Sequence, residues 1–145
     1  FLIIRTDQPY GWPEQSQHAN SVVRVIEHLK NNTIFREIID WYNTPTYIPD
    51  LTSAIMHLIK NNLVGIFHIT GSDFLNRYDS AVLIAEVFKL ENKLLKQINS
   101  SELKLPAKRS NVNLSNKKLF QETGIRMLGF KDGLTKMLED KKIWG

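Results

Sequence analysis

The chain has no cysteine among its 145 residues, which excludes disulfide frameworks, thiolate zinc sites and cysteine nucleophiles at once. Its four histidines, His18, His28, His57 and His68, show none of the spacings that bring imidazoles to one metal. No apolar run approaches the ~18 residues of a membrane span, and no basic stretch precedes an apolar one at the start, so the default expectation is a cytoplasmic protein with no membrane partner. Glycine is sparse, at 7 residues. It nowhere follows a strand as G-x-G-x-x-G, G-x-x-G-x-x-G or G-x-x-x-x-G-K-[ST], so no loop that seats phosphates on a helix N-terminus is encoded. A Tyr-x-x-x-Lys pair is also missing. Tyr10, Tyr42, Tyr47 and Tyr78 are followed four residues later by Glu14, Thr46, Leu51 and Val82, so no lysine is placed at that spacing to depress a tyrosine pKa.

What is present describes a soluble globular chain, with 42% hydrophobic and 23% charged residues. The length suits one domain or one lobe of a larger one, able to bury roughly 70% of its unfolded surface around a single core. Net charge is +4, unevenly spread: residues 1–92 hold 7 basic and 10 acidic side chains, and residues 93–145 hold 12 and 5. The basic third suits an anionic partner such as a nucleotide diphosphate, a nucleic acid or a phospholipid surface. It lacks the interleaved aromatics or recognition motif of a nucleic-acid binder, so nucleic acid is not expected.

Apolar periodicity alternates strand and helix. Phe1–Ile4 reads as a fully buried strand, and a chain that opens inside a core strand without an initiator Met looks like a piece of something longer. Gln8–Pro13 packs two prolines and a glycine into a turn or irregular loop. Asn20 is placed to cap a helix over Ser21–Lys30, whose Val22, Val25, Ile26 and Leu29 form one stripe. Thr33–Asp40 reads as a strand and Thr46–Ile48, between Pro45 and Pro49, as an extended segment. Asp50 is the expected cap of a helix over Leu51–Lys60. Ile66–Thr70 reads as an interior strand covered on both faces, and Asn76 with Asp79 as a capping box for a third helix. Beyond Leu90 the pattern gives a strand over Lys93–Ile98, a basic loop over Ser101–Asn113, a short helix capped by Ser115 and ended by Gly124, and a last helix over Lys131–Lys141. The order predicts an α/β fold with at least partly parallel pairing. Trp41 and Trp144 are expected to anchor satellite cores.

Four blocks then resemble a known family. Ile3–Gly11 (IIRTDQPYG), Asn43–Leu51 (NTPTYIPDL), Gly65–Gly71 (GIFHITG) and Leu105–Asn111 (LPAKRSN), with Leu114 and Lys118–Leu119, are similar in order and spacing to the second half of dTDP-4-dehydrorhamnose reductases, RmlD-like extended short-chain dehydrogenases. The resemblance implies the C-terminal part of a Rossmann-type NAD(P)-binding fold plus a small mixed substrate-binding lobe. Residues 1–92 would supply closing strands and helices of the sheet and residues 93–145 the basic substrate side, in one compact unit. It further implies a parent enzyme that reduces a dTDP-hexose with NADP or NAD. The glycine loop and the catalytic Tyr-x-x-x-Lys would lie in a first half missing from this chain, which alone would bind no cofactor and carry no catalytic residue. The same family includes the regulatory β subunit of methionine adenosyltransferase, so a non-catalytic binding role is the alternative.

Carried over by position, Thr6, Asp7 and Gln8 lie where the family approaches the nicotinamide. Gln8, Asn20, Lys108, Arg109 and Asn111 lie where it meets the sugar nucleotide. Arg5 is expected only to pair with an acidic neighbour. Two departures matter. Gln8 stands where the reductases commonly have tryptophan, so an aromatic platform for the hexose is lost. Lys108-Arg109 stands where Arg-Pro is expected, which keeps the charge but not the fork geometry of the arginine at its usual place. Strand edges and one apolar face left uncovered by a missing half also predict self-association.

Overall fold

A computed structural model describes residues 1–14, 18–107 and 109–144, and the side chains among them up to residue 140. The fold is α/β, as the alternating pattern predicts. Its strands are β1 (Leu2–Arg5), β2 (Pro9–Tyr10), β3 (Phe35–Ile38), β4 (Tyr42–Asn43), β5 (Thr46–Tyr47), β6 (Gly65–His68), β7 (Leu75–Asn76) and β8 (Leu95–Ile98). Its α-helices are α1 (Ser21–Lys30), α2 (Ile48–Lys60), α3 (Arg77–Val87), α4 (Lys117–Thr123) and α5 (Phe130–Trp144). The strands pair two by two: β1 with β6, β2 with β5 and β3 with β8 run parallel, while β4 and β7 run antiparallel. Phe35 of β3 and its partner in register on β8, Leu95, are 60 residues apart in the sequence, so the basic C-terminal third is pinned to the body by strand pairing.

Helix α1 forms as expected, because Asn20 Oδ1 accepts from the backbone N–H groups of Val22 and Val23 at 3.1 and 3.2 Å and satisfies two donors that the first turn leaves free. Its stripe of Val22, Val25, Ile26 and Leu29 is buried against α3 and α5 in a core that also holds Tyr10, Ile84, Phe130, Leu134 and Met137. Asn76 caps α3 by accepting from Asp79 N at 2.7 Å, and its own amide donates to the Asp79 carboxylate at 2.7 Å. A second core gathers Leu58 of α2, Phe67 and Ile69 around β6, and Leu119 of α4.

Five local expectations are corrected. Neither β1 nor the β6 strand is covered on both faces. Phe67 and Ile69 are sealed at 0% exposure, but Phe1, Ile3 and Ile66 stand at 84%, 46% and 40%, so one apolar face of the β1–β6 pair is open. Ile48 opens α2 rather than closing an extended segment, because Pro49 falls in the first turn, where a missing N–H costs nothing. Asp50 therefore sits inside that turn, and its carboxylate instead accepts from Leu128 N at 2.9 Å. Asn116, not Ser115, occupies the cap position of α4, but Ser115 Oγ accepts from Lys117 N at 3.3 Å, while the Asn116 side chain clamps both backbone groups of Thr70, at 3.0 and 2.7 Å. The proline-rich turn contains the two-residue strand β2, which pairing with β5 stabilises although its length gives no periodicity.

The segment entering α5 is held by two carboxylates, Asp50 on Leu128 N and Asp73 on Phe130 N at 2.7 Å, a placement that also favours the positive end of the helix. Glycine at 133, within α5, is explained by contact: an added Cβ would lie 2.0 Å from Tyr10 Oη. Burial raises the Tyr10 hydroxyl pKa well above its ordinary value, with the neighbouring Tyr47 adding to the effect. Tyr47 is raised likewise, by burial first and then by its hydrogen bond to the Asp140 carboxylate. Both tyrosines remain neutral donors at physiological pH, and neither serves as a proton acid of lowered pKa.

Candidate substrate-binding cleft

The loop after β1 is fastened to the strands that follow α1. Asp7 accepts from Thr44 N at 2.8 Å and from Asn43 Nδ2 at 3.2 Å, and its carbonyl accepts from Thr46 Oγ1 at 2.7 Å. Gln8 accepts from Thr46 N at 3.1 Å through its carbonyl and adopts φ +42°, a left-handed conformation that costs a non-glycine residue about 1–2 kcal/mol. Strain of this kind collects at binding sites when the surroundings enforce it. Asp7 is thus committed to holding β4 and β5 in place, whereas Thr6 is exposed. Arg5 is exposed and makes no ion pair among the described residues, so the acidic partner expected for it is not found.

Gln8 and Asn43 line a crevice between α1 and α3, together with Glu37, Arg77, Ser21 and Ser80. Its centre is an ion pair that the sequence reading missed. Arg77 donates through Nε and an η nitrogen to the two Glu37 carboxylate oxygens at 2.8 and 3.2 Å, with side-chain exposures of 19% and 10%. The crevice holds about 30 Å³, room for water rather than for a sugar ring. A hexose fits only over its mouth.

Ligand-sized space lies beside it. A cleft of about 490 Å³ is lined by Asp40, Trp41, Ser100, Arg109, Ser110 and Asn111. A neighbouring one of about 400 Å³ shares Asp40, Trp41, Ser100 and Arg109 and extends to Leu103, Leu105 and Ala107. Both volumes fall in the range of small-molecule sites, about 300–1,000 Å³. Crevice and cleft meet at β4: Asn43 lines the first, while Tyr42 donates its N–H to Asn111 Oδ1 at 3.0 Å and accepts from Val112 N at 3.3 Å through its carbonyl. The opposite wall is tied by Asp40, which accepts from Ser100 N at 2.8 Å and Ser100 Oγ at 2.6 Å.

Of the residues the resemblance singles out, Arg109 and Asn111 therefore share one cleft, and Gln8 lines the adjoining crevice. Asn20 is engaged elsewhere, since beyond its cap its amide donates to Gly11 O at 2.7 Å. Lys108 lies outside the described residues. Trp41, expected as a satellite-core anchor, belongs to neither core cluster. The Arg109 guanidinium lies over its ring, 5.1 Å from the centroid. Nothing in the sequence couples residues 41 and 109, because the loop that joins them spatially has no periodicity. The side chain of Trp144 is not among those described.

Comparison with known proteins places the chain in a family and a fold. The sequence model of the family described as RmlD substrate binding domain matches residues 1–143. The spore coat polysaccharide biosynthesis protein SpsK of Bacillus subtilis is 26% identical over 139 residues, covering 96% of this chain and 47% of that protein. The crystal structure of a dTDP-4-dehydrorhamnose reductase from Bacillus anthracis in complex with NADP superposes with a TM-score of 0.86 at 22% identity, over 96% of this chain and 48% of that one. A dTDP-4-dehydrorhamnose reductase ortholog from Clostridium acetobutylicum gives 0.83 at 25%, over 97% and 49%. The chain thus spans about half the length of these relatives, and its fold is that part of a Rossmann-type reductase.

Proposed function

The chain belongs to the RmlD substrate binding domain family, and we propose from that premise that it forms the substrate side of an NAD(P)-dependent sugar-nucleotide reductase acting on a dTDP-hexose. The observation that carries the reading is the cleft in which Asn111 is bonded to β4 and Arg109 lies over Trp41, with the strained Gln8 in the adjoining crevice. A guanidinium and amides at that spacing suit a diphosphate and sugar hydroxyls. Gln8, which lines that crevice, would offer an amide to the hexose. The dinucleotide fits this chain at one end only. Exposed Thr6 at the end of β1 is free to meet a carboxamide, while no glycine loop here seats the phosphates. The cofactor, NADP or NAD, would supply hydride. The proton would come from a group outside these residues, since both buried tyrosines of this chain are raised and engaged.

The division of labour proposed is residues 1–92 as the sheet-side body and residues 93–145 as the basic substrate side. The open face of Phe1, Ile3 and Ile66 would receive the remainder of a longer sheet, and in its absence would bring copies of the chain together. Mixing the chain with NADPH and a dTDP-4-keto-hexose should give no loss of nicotinamide absorbance, and light scattering on the same sample should show species larger than a monomer. Turnover would overturn the claim that hydride transfer needs another segment; a clean monomer would overturn the second claim. Failure of any nucleotide to bind would favour the non-catalytic regulatory reading.

A further inference from the structure

We propose that Trp41 is the platform on which the base of a nucleoside diphosphate stacks, and that Arg109 covers this platform until the ligand enters and then turns to the diphosphate. The inference rests on the sugar-nucleotide reading and extends it to a residue that the family motif does not mark. Trp41 packs into neither core and lies half-buried on the cleft wall, so its indole is spent on no interior contact that would account for it. Its backbone is held on both sides: Arg77 N donates to Trp41 O at 3.0 Å, and the next residue, Tyr42, donates to Asn111. A large ring with two side-chain torsions on a fixed backbone loses little freedom when something stacks on it.

Arg109 supplies the second half of the argument. It is exposed and, among the described residues, makes no hydrogen bond or ion pair, so the ring is its one specific contact, at 5.1 Å. A solvent-exposed cation over a half-buried indole is worth little and is easily exchanged. A nucleobase presents the same flat partner to the indole with greater overlap, and the displaced guanidinium gains a charge-assisted contact on the diphosphate. Ser100, Ser110 and Asn111 line the same cleft and offer polar groups around the ring and the phosphates.

The test is isothermal titration of the whole chain with thymidine diphosphate and, separately, inorganic pyrophosphate. Trp41→Ala should weaken thymidine diphosphate by about tenfold or more, the scale of one lost base stack, and leave pyrophosphate unchanged. Trp41→Phe should retain most of the affinity, and Arg109→Gln should weaken both ligands. In the parent chain, thymidine diphosphate should quench a tryptophan emission component that Trp41→Phe lacks, a readout that survives if the alanine variant does not fold. Parental affinity in Trp41→Ala, or quenching that persists in Trp41→Phe, would overturn the inference while the sugar-nucleotide reading stands. No binding of thymidine diphosphate to the parent chain at millimolar concentration would overturn both.

Discussion

Replacing Arg77 by methionine should destabilise the chain by about 3–5 kcal/mol, because it strands the Glu37 carboxylate in a site 10% exposed without its partner. The aliphatic stem is kept, so the loss is electrostatic rather than steric. Changing Glu37 to methionine in the same chain should recover part of the loss, since removing both charges removes the desolvation penalty with the attraction. Urea unfolding checks both: the midpoint should fall for Arg77→Met and rise again in the double variant, with the slope unchanged. Equal midpoints for the two variants would mean that Glu37 is better solvated than its position indicates. The pair also joins β3 to the first turn of α3 at the crevice beside the cleft, so its loss loosens the wall that carries Trp41.

Gly71→Ala should cost about 3 kcal/mol or more, at the upper end of what overpacking a closed site does. An added Cβ would lie 2.0 Å from the Pro45 carbonyl oxygen and 3.5 Å from that of Leu128, both backbone atoms that no side-chain rotation can move aside. Gly71 N also donates to Thr46 Oγ1 at 3.1 Å, the same hydroxyl that donates to Asp7, so the displacement reaches the Asp7–Gln8 loop. The melting temperature should drop by on the order of 10 °C. Gly124→Ala is the contrast: its space is open, with only φ +75° to oppose a side chain, so the cost should be about 1 kcal/mol. If Gly71→Ala were the milder of the two, the close approach of this turn to β5 would be wrong.

The sequence was legible where local rules act alone. Asn20 and Asn76 cap the helices they were expected to cap, and the stripe of α1 is buried as its spacing requires. It misled where a local preference met a tertiary use: Asp50 was better employed on Leu128 than as a cap, and Pro49 entered a helix because the first turn needs no N–H. The continuous apolar runs by themselves read as strands covered on both faces, since hydropathy records what can be buried and not what covers it; the open face of β1 and β6 was expected only from the resemblance to half of a longer fold. The candidate site was legible in part. The family motif pointed to Arg109 and Asn111, which line one cleft, but the Glu37–Arg77 pair, 40 residues apart, and the Trp41–Arg109 stack depend on long-range folding that no spacing announces. Asn20 shows the converse, a residue marked by position whose amide the fold uses for itself.

The most direct test is an amide-resolved NMR titration of the isotope-labelled chain with a dTDP-hexose. The account predicts shifts centred on Trp41, Tyr42, Ser100, Ser110 and Asn111, reaching Gln8 and Asn43 across β4. Shifts confined to the open β1–β6 face, or none at saturating ligand, would contradict it.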